Sequence, residues 1–251
     1  MDNIRLSVVI PAYNEERRLP KTLFEIGKYL EKQSYGYEIV VVSDGSKDKT
    51  AQVVRDLSSK IKNLRIIDNK ENHGKGYVTR QGMMEGKGDY LLFTDADNST
   101  SIDQVEKMWQ FFEKGFNVVI GSRDIKGAVL DPPQSVSRRV LGNIFSLLTQ
   151  IICGTWGIKD SQCGFKGLSR KAVQDIMPKC RIDRFAFDPE ILILAKRKGY
   201  KIKEIPVHWK NDLESKVKLK SIFEMLFDLF VIRKNLITGK YEKKSIFRIE
   251  I

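Results

Sequence analysis

Apolar, largely β-branched runs recur through the first 120 residues, and the stretches between them have helical spacing. This alternation constrains the fold more than any other feature. The runs are Leu6–Ile10 (LSVVI), Glu38–Val42 (EIVVV), Leu64–Ile67, Tyr90–Thr94 (YLLFT) and Phe116–Ile120 (FNVVI). The first is expected to stop at Pro11. Helical spacing appears at Leu19, Leu23, Ile26 and Leu30. It recurs at Val53, Val54 and Leu57 (after Asp48 and Thr50, which can cap a helix), over Gly76–Gly86, and at Ile102, Val105, Met108, Trp109 and Phe112. Strands that are apolar on both faces and separated by helices predict a Rossmann-like α/β fold: a mainly parallel sheet with helices on both faces.

Such sheets bind ligands beyond the carboxyl ends of their strands. Four polar motifs fall at those ends: Pro11-Ala12-Tyr13-Asn14-Glu15, Ser43-Asp44-Gly45-Ser46, Thr94-Asp95-Ala96-Asp97 and Gly121-Ser122-Arg123.

The second half reads differently. A Pro- and Gly-bearing loop spans Asp124–Ser137, then Leu141, Ile144, Phe145, Leu148, Ile151 and Ile152 recur at helical spacing. A polar turn, Asp160–Lys166, enters a short strand, and another helix follows Ser169. Lys201–Trp209 (KIKEIPVHW) alternates like one strand. Leu219–Arg233 reads as a helix that is almost wholly apolar between Met225 and Ile232. One domain is therefore expected over residues 1–240, with halves of different character at 1–123 and 124–240 and a short basic tail at 241–251.

Composition narrows the class. The chain has 251 residues, 41% of them hydrophobic, which suits one packed domain and not a disordered chain. No apolar run reaches the roughly 18 to 20 residues that span a bilayer, and no signal peptide is expected from MDNIRLSVVIPAYNEE. Cys153, Cys163 and Cys180 are odd in number and far apart, which predicts reduced thiols and not a zinc cluster or disulfide framework. The net charge of +12 predicts an anionic partner. The lysines are spread along helices and most aromatics sit in apolar runs. That pattern argues against a nucleic-acid module, which interleaves the two on one surface.

Each motif carries more than one reading. Asp95 and Asp97 suit a hard divalent cation, or a solvated turn in which Asp97 caps the next helix. Asp44 suits a ribose or base contact, or a turn followed by a cap. His73-Gly74-Lys75-Gly76 invites an anion at a helix N-terminus but matches neither a Walker A loop nor a dinucleotide fingerprint. Arg123 suits bidentate phosphate contact or an ordinary ion pair. Asn98-Ser99-Thr100 matches a glycosylation sequon by chance.

Together, PAYNEE (Pro11–Glu16), SDGSKDKT (Ser43–Thr50), NHGKG (Asn72–Gly76), DAD (Asp95–Asp97) and GSR (Gly121–Arg123) resemble the family 2 inverting glycosyltransferases of GT-A fold. DSQCGFK (Asp160–Lys166), RFAFDPEIL (Arg184–Leu192), EIPVHW (Glu204–Trp209) and ESKV (Glu214–Val217) resemble the polyprenyl-phosphate sugar transferases, their dolichyl-phosphate β-glucosyltransferase branch above all. Asn98 and Ser99 depart from the small pair that branch carries after D-A-D. The resemblance implies that Pro11, Ala12, Tyr13, Glu15 and Asp44 bind the nucleoside, with Lys75 near it or its phosphates. It implies that Asp95, Ala96 and Asp97 meet the diphosphate, the two acids holding Mg²⁺ or Mn²⁺, and that Arg123 contacts phosphate. Asp160 and Gln162 would face sugar and acceptor, with Asp160 a base or an orienter, and Ser215 and Lys216 would receive the acceptor phosphate.

The implied reaction moves a hexose, with UDP-glucose the favoured donor, onto dolichyl or another polyprenyl phosphate. Mannosyl transfer from GDP-mannose to dolichyl phosphate, another family 2 sugar transfer and a catalytically silent nucleotide-sugar sensor are the alternatives. An insoluble acceptor implies a peripheral enzyme on the cytoplasmic side of a membrane. Arg138 and Arg139 before Leu141–Ile152, and Lys218 and Lys220 before Ile222–Ile232, suit interfacial helices. The alternative is that these apolar faces pack in the core or form a homodimer contact.

Overall fold

The computed structural model describes residues 4–133, 136–210 and 219–242. In chain order the elements are β1 (Ile4–Ala12), α1 (Leu19–Leu30), β2 (Gly36–Asp44), α2 (Thr50–Ser58), β3 (Leu64–Asn69), α3 (Lys75–Glu85) and β4 (Tyr90–Thr94). A 3₁₀ turn at Ile102–Val105 leads into α4 (Glu106–Glu113), followed by β5 (Val118–Ser122), β6 (Val129–Asp131), α5 (Val136–Cys153) and β7 (Phe165–Ser169). The chain continues through α6 (Arg170–Ile176), α7 (Phe187–Arg197), β8 (Ile202–Pro206), β9 (His208–Lys210) and α8 (Leu219–Ile237).

The main sheet has the order β3-β2-β1-β4-β7-β5-β8, and β6 pairs with β9 beside it. All pairings in the main sheet are parallel except those of β7, which runs antiparallel between β4 and β5. The carboxyl ends of β1, β2, β4 and β5 therefore share one edge, and the amino end of β7 joins them there. Alternation along the strands explains why they are apolar throughout. Val9, Val40, Val42 and Phe93 pack with α6 and α7 on one face, while Val8, Ile10, Ile39, Val41 and Leu92 pack with α1 and α4 on the other.

Several boundaries differ from the sequence reading. β1 runs through Pro11 to Ala12. Pairing with β4 has already ended at Val9, and only β2 continues alongside, so the missing N–H removes no β4 ladder bond. KIKEIPVHW is two strands, not one. β8 leaves β5 at Pro206, Val207 N–H donates to Ser122 O, and His208–Lys210 crosses to pair with β6. The last N-terminal run begins at Val118, because Phe116 N–H closes a turn onto Phe111 O around Gly115 (φ +80°). Tyr241, assigned to the tail, is instead buried and donates its hydroxyl to Glu190 Oε1 at 2.7 Å. Cys153, Cys163 and Cys180 are free and buried.

Among the described residues, no helix is long and apolar enough to cross a membrane. α5 packs against α8, yet both keep an apolar stripe in solvent: Leu141, Ile144, Leu147 and Ile151 on α5, and Phe223, Phe227 and Phe230 on α8.

Candidate active site

At the end of β2, Asp44 is 3% exposed and its carboxylate accepts from His73 N–H (2.7 Å), Gly74 N–H (2.9 Å) and the Asn72 side-chain amide (2.9 Å). Burial raises its proton affinity, only partly offset by these bonds. Asp44 thus fixes the N-H-G-K loop. The His73 contribution to that link is its backbone, while its ring stacks on Tyr77. Gly74 sits at φ +106°, and a Cβ there would stand 2.4 Å from Asp183 O, so only glycine fits. The loop is thereby pressed against residues 182–184 and delivers Lys75 at the start of α3.

Lys75 Nζ reaches across the edge to Asp95 Oδ1 at 2.5 Å. Burial alone would lower the Lys75 pKa, but Asp95, then Asp188, outweigh it and hold the ammonium charged. Asp95 is fixed from the other side as well. Its N–H donates to Gly164 O (3.2 Å), and a Cβ on Gly164 would lie 2.0 Å from Asp95 Oδ2. Asp97 Oδ1 accepts from Ser99 N–H (2.9 Å), and Ala96 O accepts from Thr22 Oγ1 (2.7 Å). Burial, then the Asp95 charge, push the Asp97 carboxyl above its usual range.

This donor set fits a divalent cation. Two hard carboxylate oxygens carry more negative charge than Lys75 alone offsets. No group of three or more His, Cys, Asp or Glu stands ready to hold an ion among the described residues. The remaining positions would fall to diphosphate and water oxygens.

Across β7, Arg123 and Asp160 form a fork. Arg123 Nε donates to Oδ2 (2.7 Å), Nη2 to Oδ1 (2.9 Å) and the backbone N–H to Oδ2 (2.9 Å). Gln162 N–H adds a bond to Oδ1 (3.2 Å). Burial would raise the Asp160 pKa, but the Arg123 charge and these bonds outweigh it and hold the carboxyl below the usual range. Asp160 is 3% exposed with both oxygens committed. The geometry therefore favours the orienter over the base, and it gives Arg123 an internal carboxylate to grip.

The other sequence-derived residues are distributed as follows. Pro11 and Ala12 are buried in β1, and Tyr13 is exposed just beyond it. Glu15 points its carboxylate at Arg18, with both bonds at 2.8 Å, and its N–H donates to Thr50 Oγ1. Gln162 is half-buried beside Asp160. Ser215, Lys216 and Lys218 lie outside the described residues.

Sequence reasoning missed two groups beneath this edge. Lys166, 0% exposed in β7, donates to Asp188 Oδ1 (2.5 Å) and Cys163 O (2.6 Å), so Asp188 stands between the charges of Lys166 and Lys75. Nearby, Glu190 is fully buried and accepts from Arg181 N–H (2.9 Å), Ile182 N–H (3.0 Å) and Tyr241. It ties the loop that backs Gly74 to the C-terminal chain. A lysine inside an otherwise apolar strand and acids opening α7 were the available signals.

Burial pushes Glu190 up to about 7 against the opposing bonds from Tyr241 and the two N–H groups. Its folded pKa exceeds its unfolded value near 4.5. Its stabilising contribution is therefore complete below that value and lost as pH rises through 7, amounting to about 3 kcal/mol at ~1.4 kcal/mol per unit. Glu190→Gln is expected to cost stability at pH 5, where an N–H loses its acceptor. Its deficit should shrink by about 2–3 kcal/mol by pH 8. Denaturant melts of both proteins across that range test this, and parallel curves would refute it.

Comparison with known proteins places this edge. The glycosyl transferase family 2 profile matches residues 7–177. A dolichyl-phosphate β-glucosyltransferase of Dictyostelium discoideum is 37% identical over 98% of this chain and 79% of its own length. The human protein of that name is 36% identical over 94% of this chain and 77% of its own length. Among solved structures, glucosyl-3-phosphoglycerate synthase of Mycobacterium tuberculosis, crystallised with Mn²⁺, UDP and glucosyl-3-phosphoglycerate, superposes with TM-score 0.65 at 15% identity, covering 97% of this chain and 82% of that one. Mannosyl-3-phosphoglycerate synthase of Rubrobacter xylanophilus gives TM-score 0.69 at 17% identity over 99% and 78%. The profile, the relatives and the sheet with its acidic edge agree: this chain is a GT-A protein and belongs to glycosyl transferase family 2.

Proposed function

We propose that this protein is an inverting hexosyltransferase that moves glucose from UDP-glucose to dolichyl phosphate. The observation that carries the reading is the pairing of opposite charges along one sheet edge. Asp95 and Asp97 follow the end of β4 and Arg123 follows the end of β5, and those strand ends stand two strand spacings or roughly 10 Å apart across β7. That span accommodates a hexose between a leaving diphosphate and an incoming phosphate. The names of the relatives supply the sugar and the lipid.

When bound, a divalent cation held by Asp95 and Asp97 supplies charge neutralisation to the leaving diphosphate. The chain does the rest. Lys75 adds a fixed positive charge beside Asp95, and Pro11, Ala12, Tyr13, Glu15 and Asp44 form or brace the nucleoside end. Arg123, oriented by Asp160, meets the acceptor phosphate, with Ser215 and Lys216 assigned to the same anion and Gln162 to the sugar. A phosphate monoester is mostly dianionic at pH 7, with a second pKa of about 6, so it needs no strong base. That agrees with an Asp160 locked as a carboxylate. Single displacement by this oxygen inverts the anomeric carbon.

The exposed stripes on α5 and α8, with Arg139, Arg233 and Lys234 also exposed, support a peripheral position on an anionic membrane surface. Three free cysteines fit its reducing, cytoplasmic side. Incubation with radiolabelled UDP-glucose, Mg²⁺ or Mn²⁺ and dolichyl phosphate is expected to move label into an organic-extractable, acid-labile product. Label that stays aqueous with UDP-glucose but moves from GDP-mannose would reassign the donor.

A further inference from the structure

We propose that Trp209 is a positioning residue for the acceptor phosphate: its indole face and the Asp160 carboxylate together hold the Arg123 guanidinium so that the Nη1 edge is left to meet the anion. The inference rests on the reading that the acceptor is a phosphate monoester.

The carboxylate fork accounts for two of the three guanidinium nitrogens, Nε and Nη2, and Nη1 has no hydrogen-bond partner among the described residues. The Arg123 side chain keeps 22% of its surface in solvent, so it is not sealed inside the fold. A fork fixes direction within the guanidinium plane but leaves tilting about that plane free. The Trp209 ring removes that freedom, since Arg123 Cζ lies 4.8 Å from its centroid. The carboxylate itself does not drift, because Asp160 N–H and Lys159 N–H both donate to Glu204 at 3.0 Å.

Trp209 is in turn registered to the acidic loop. It pairs with Leu130 of β6 and bridges to Thr100, while Lys210 N–H donates to Ser99 O at 2.7 Å. One three-residue strand therefore sets both the tilt of Arg123 and the backbone that follows Asp97. The two ends of the transfer, diphosphate and acceptor phosphate, are measured from the same support. A lysine at Arg123 would offer the carboxylate no planar fork, so its charge would not be held in a fixed orientation.

Calorimetric titration of wild type, Trp209→Leu and Trp209→Phe with farnesyl phosphate and, separately, with UDP tests this, alongside steady-state kinetics. Trp209→Leu is expected to weaken farnesyl phosphate about tenfold and raise acceptor KM to match, with UDP affinity and melting temperature little changed. Trp209→Phe, which keeps a ring face, should recover most of the loss. Unchanged farnesyl phosphate binding in Trp209→Leu overturns the inference, as does an equal loss of UDP binding or a loss that Phe does not relieve. Wild type that binds UDP but no farnesyl phosphate would sink the acceptor reading itself.

Discussion

Asp97→Asn is expected to lower glucosyl transfer on the order of 10²–10³-fold, the scale of losing one group that stabilises developing charge. The same change should raise the melting temperature of the chelator-treated protein. Both effects have one cause. Burial, then the charge of Asp95, press on Asp97 and push its carboxyl up, so the folded state is strained by a negative charge that the proposed site keeps for the leaving diphosphate. Asparagine retains the oxygen that accepts from Ser99 N–H and discards the charge. Activity assays with saturating Mn²⁺ and melts in chelator read the two effects separately, and electron paramagnetic resonance follows the loss of Mn²⁺ binding expected beside them. Full activity with unaltered Mn²⁺ binding would remove Asp97 from the proposed site.

The second large effect concerns the α5–α8 face. Phe223, Phe227 and Phe230 are 72, 68 and 61% exposed and fall at i, i+4 and i+7, so they form one stripe. Burying each ring in an interface is worth about 1.5–3 kcal/mol, and charged replacements reverse the sign. Phe223→Glu with Phe227→Glu is expected to reduce sedimentation with anionic vesicles at least ~100-fold. Both rings line a cavity with Arg181–Arg184 that does not include Asp95, Asp97 or Arg123, so transfer to a short, soluble prenyl phosphate should fall far less than sedimentation. Wild type that stays out of the pellet while forming a concentration-dependent dimer would assign the face to a second copy of the chain.

The part of this molecule visible in the sequence is the part governed by local pattern. Strand ends were legible because β-branched runs stop at Pro, Asp and Gly, and Asp44, Asp95 and Arg123 could be placed at one edge from that alone. Pairings across the chain were not. Nothing near Lys166 says that a buried lysine is satisfied by Asp188, more than twenty residues on. Asp160 reads as a site residue from its motif, but its commitment to Arg123 depends on β7 entering beside β5. The alternation of KIKEIPVHW continues past Pro206, so period alone hid the switch of sheets that brings Trp209 over Arg123.

The antiparallel seat of β7 also bears on the order of assembly. β1 to β4 come from one continuous stretch, residues 4–94, and pair only with one another until β7 arrives. β5 and β8 reach the sheet only through β7, whose residues emerge some seventy positions after β4 has been synthesised. Until then Asp95 N–H lacks its Gly164 acceptor. A ribosome-bound chain can thus gather β1 to β4 early, while the acidic loop closes only after the segment carrying Asp160 has been delivered. Chemical competence is a late event in the life of each new copy.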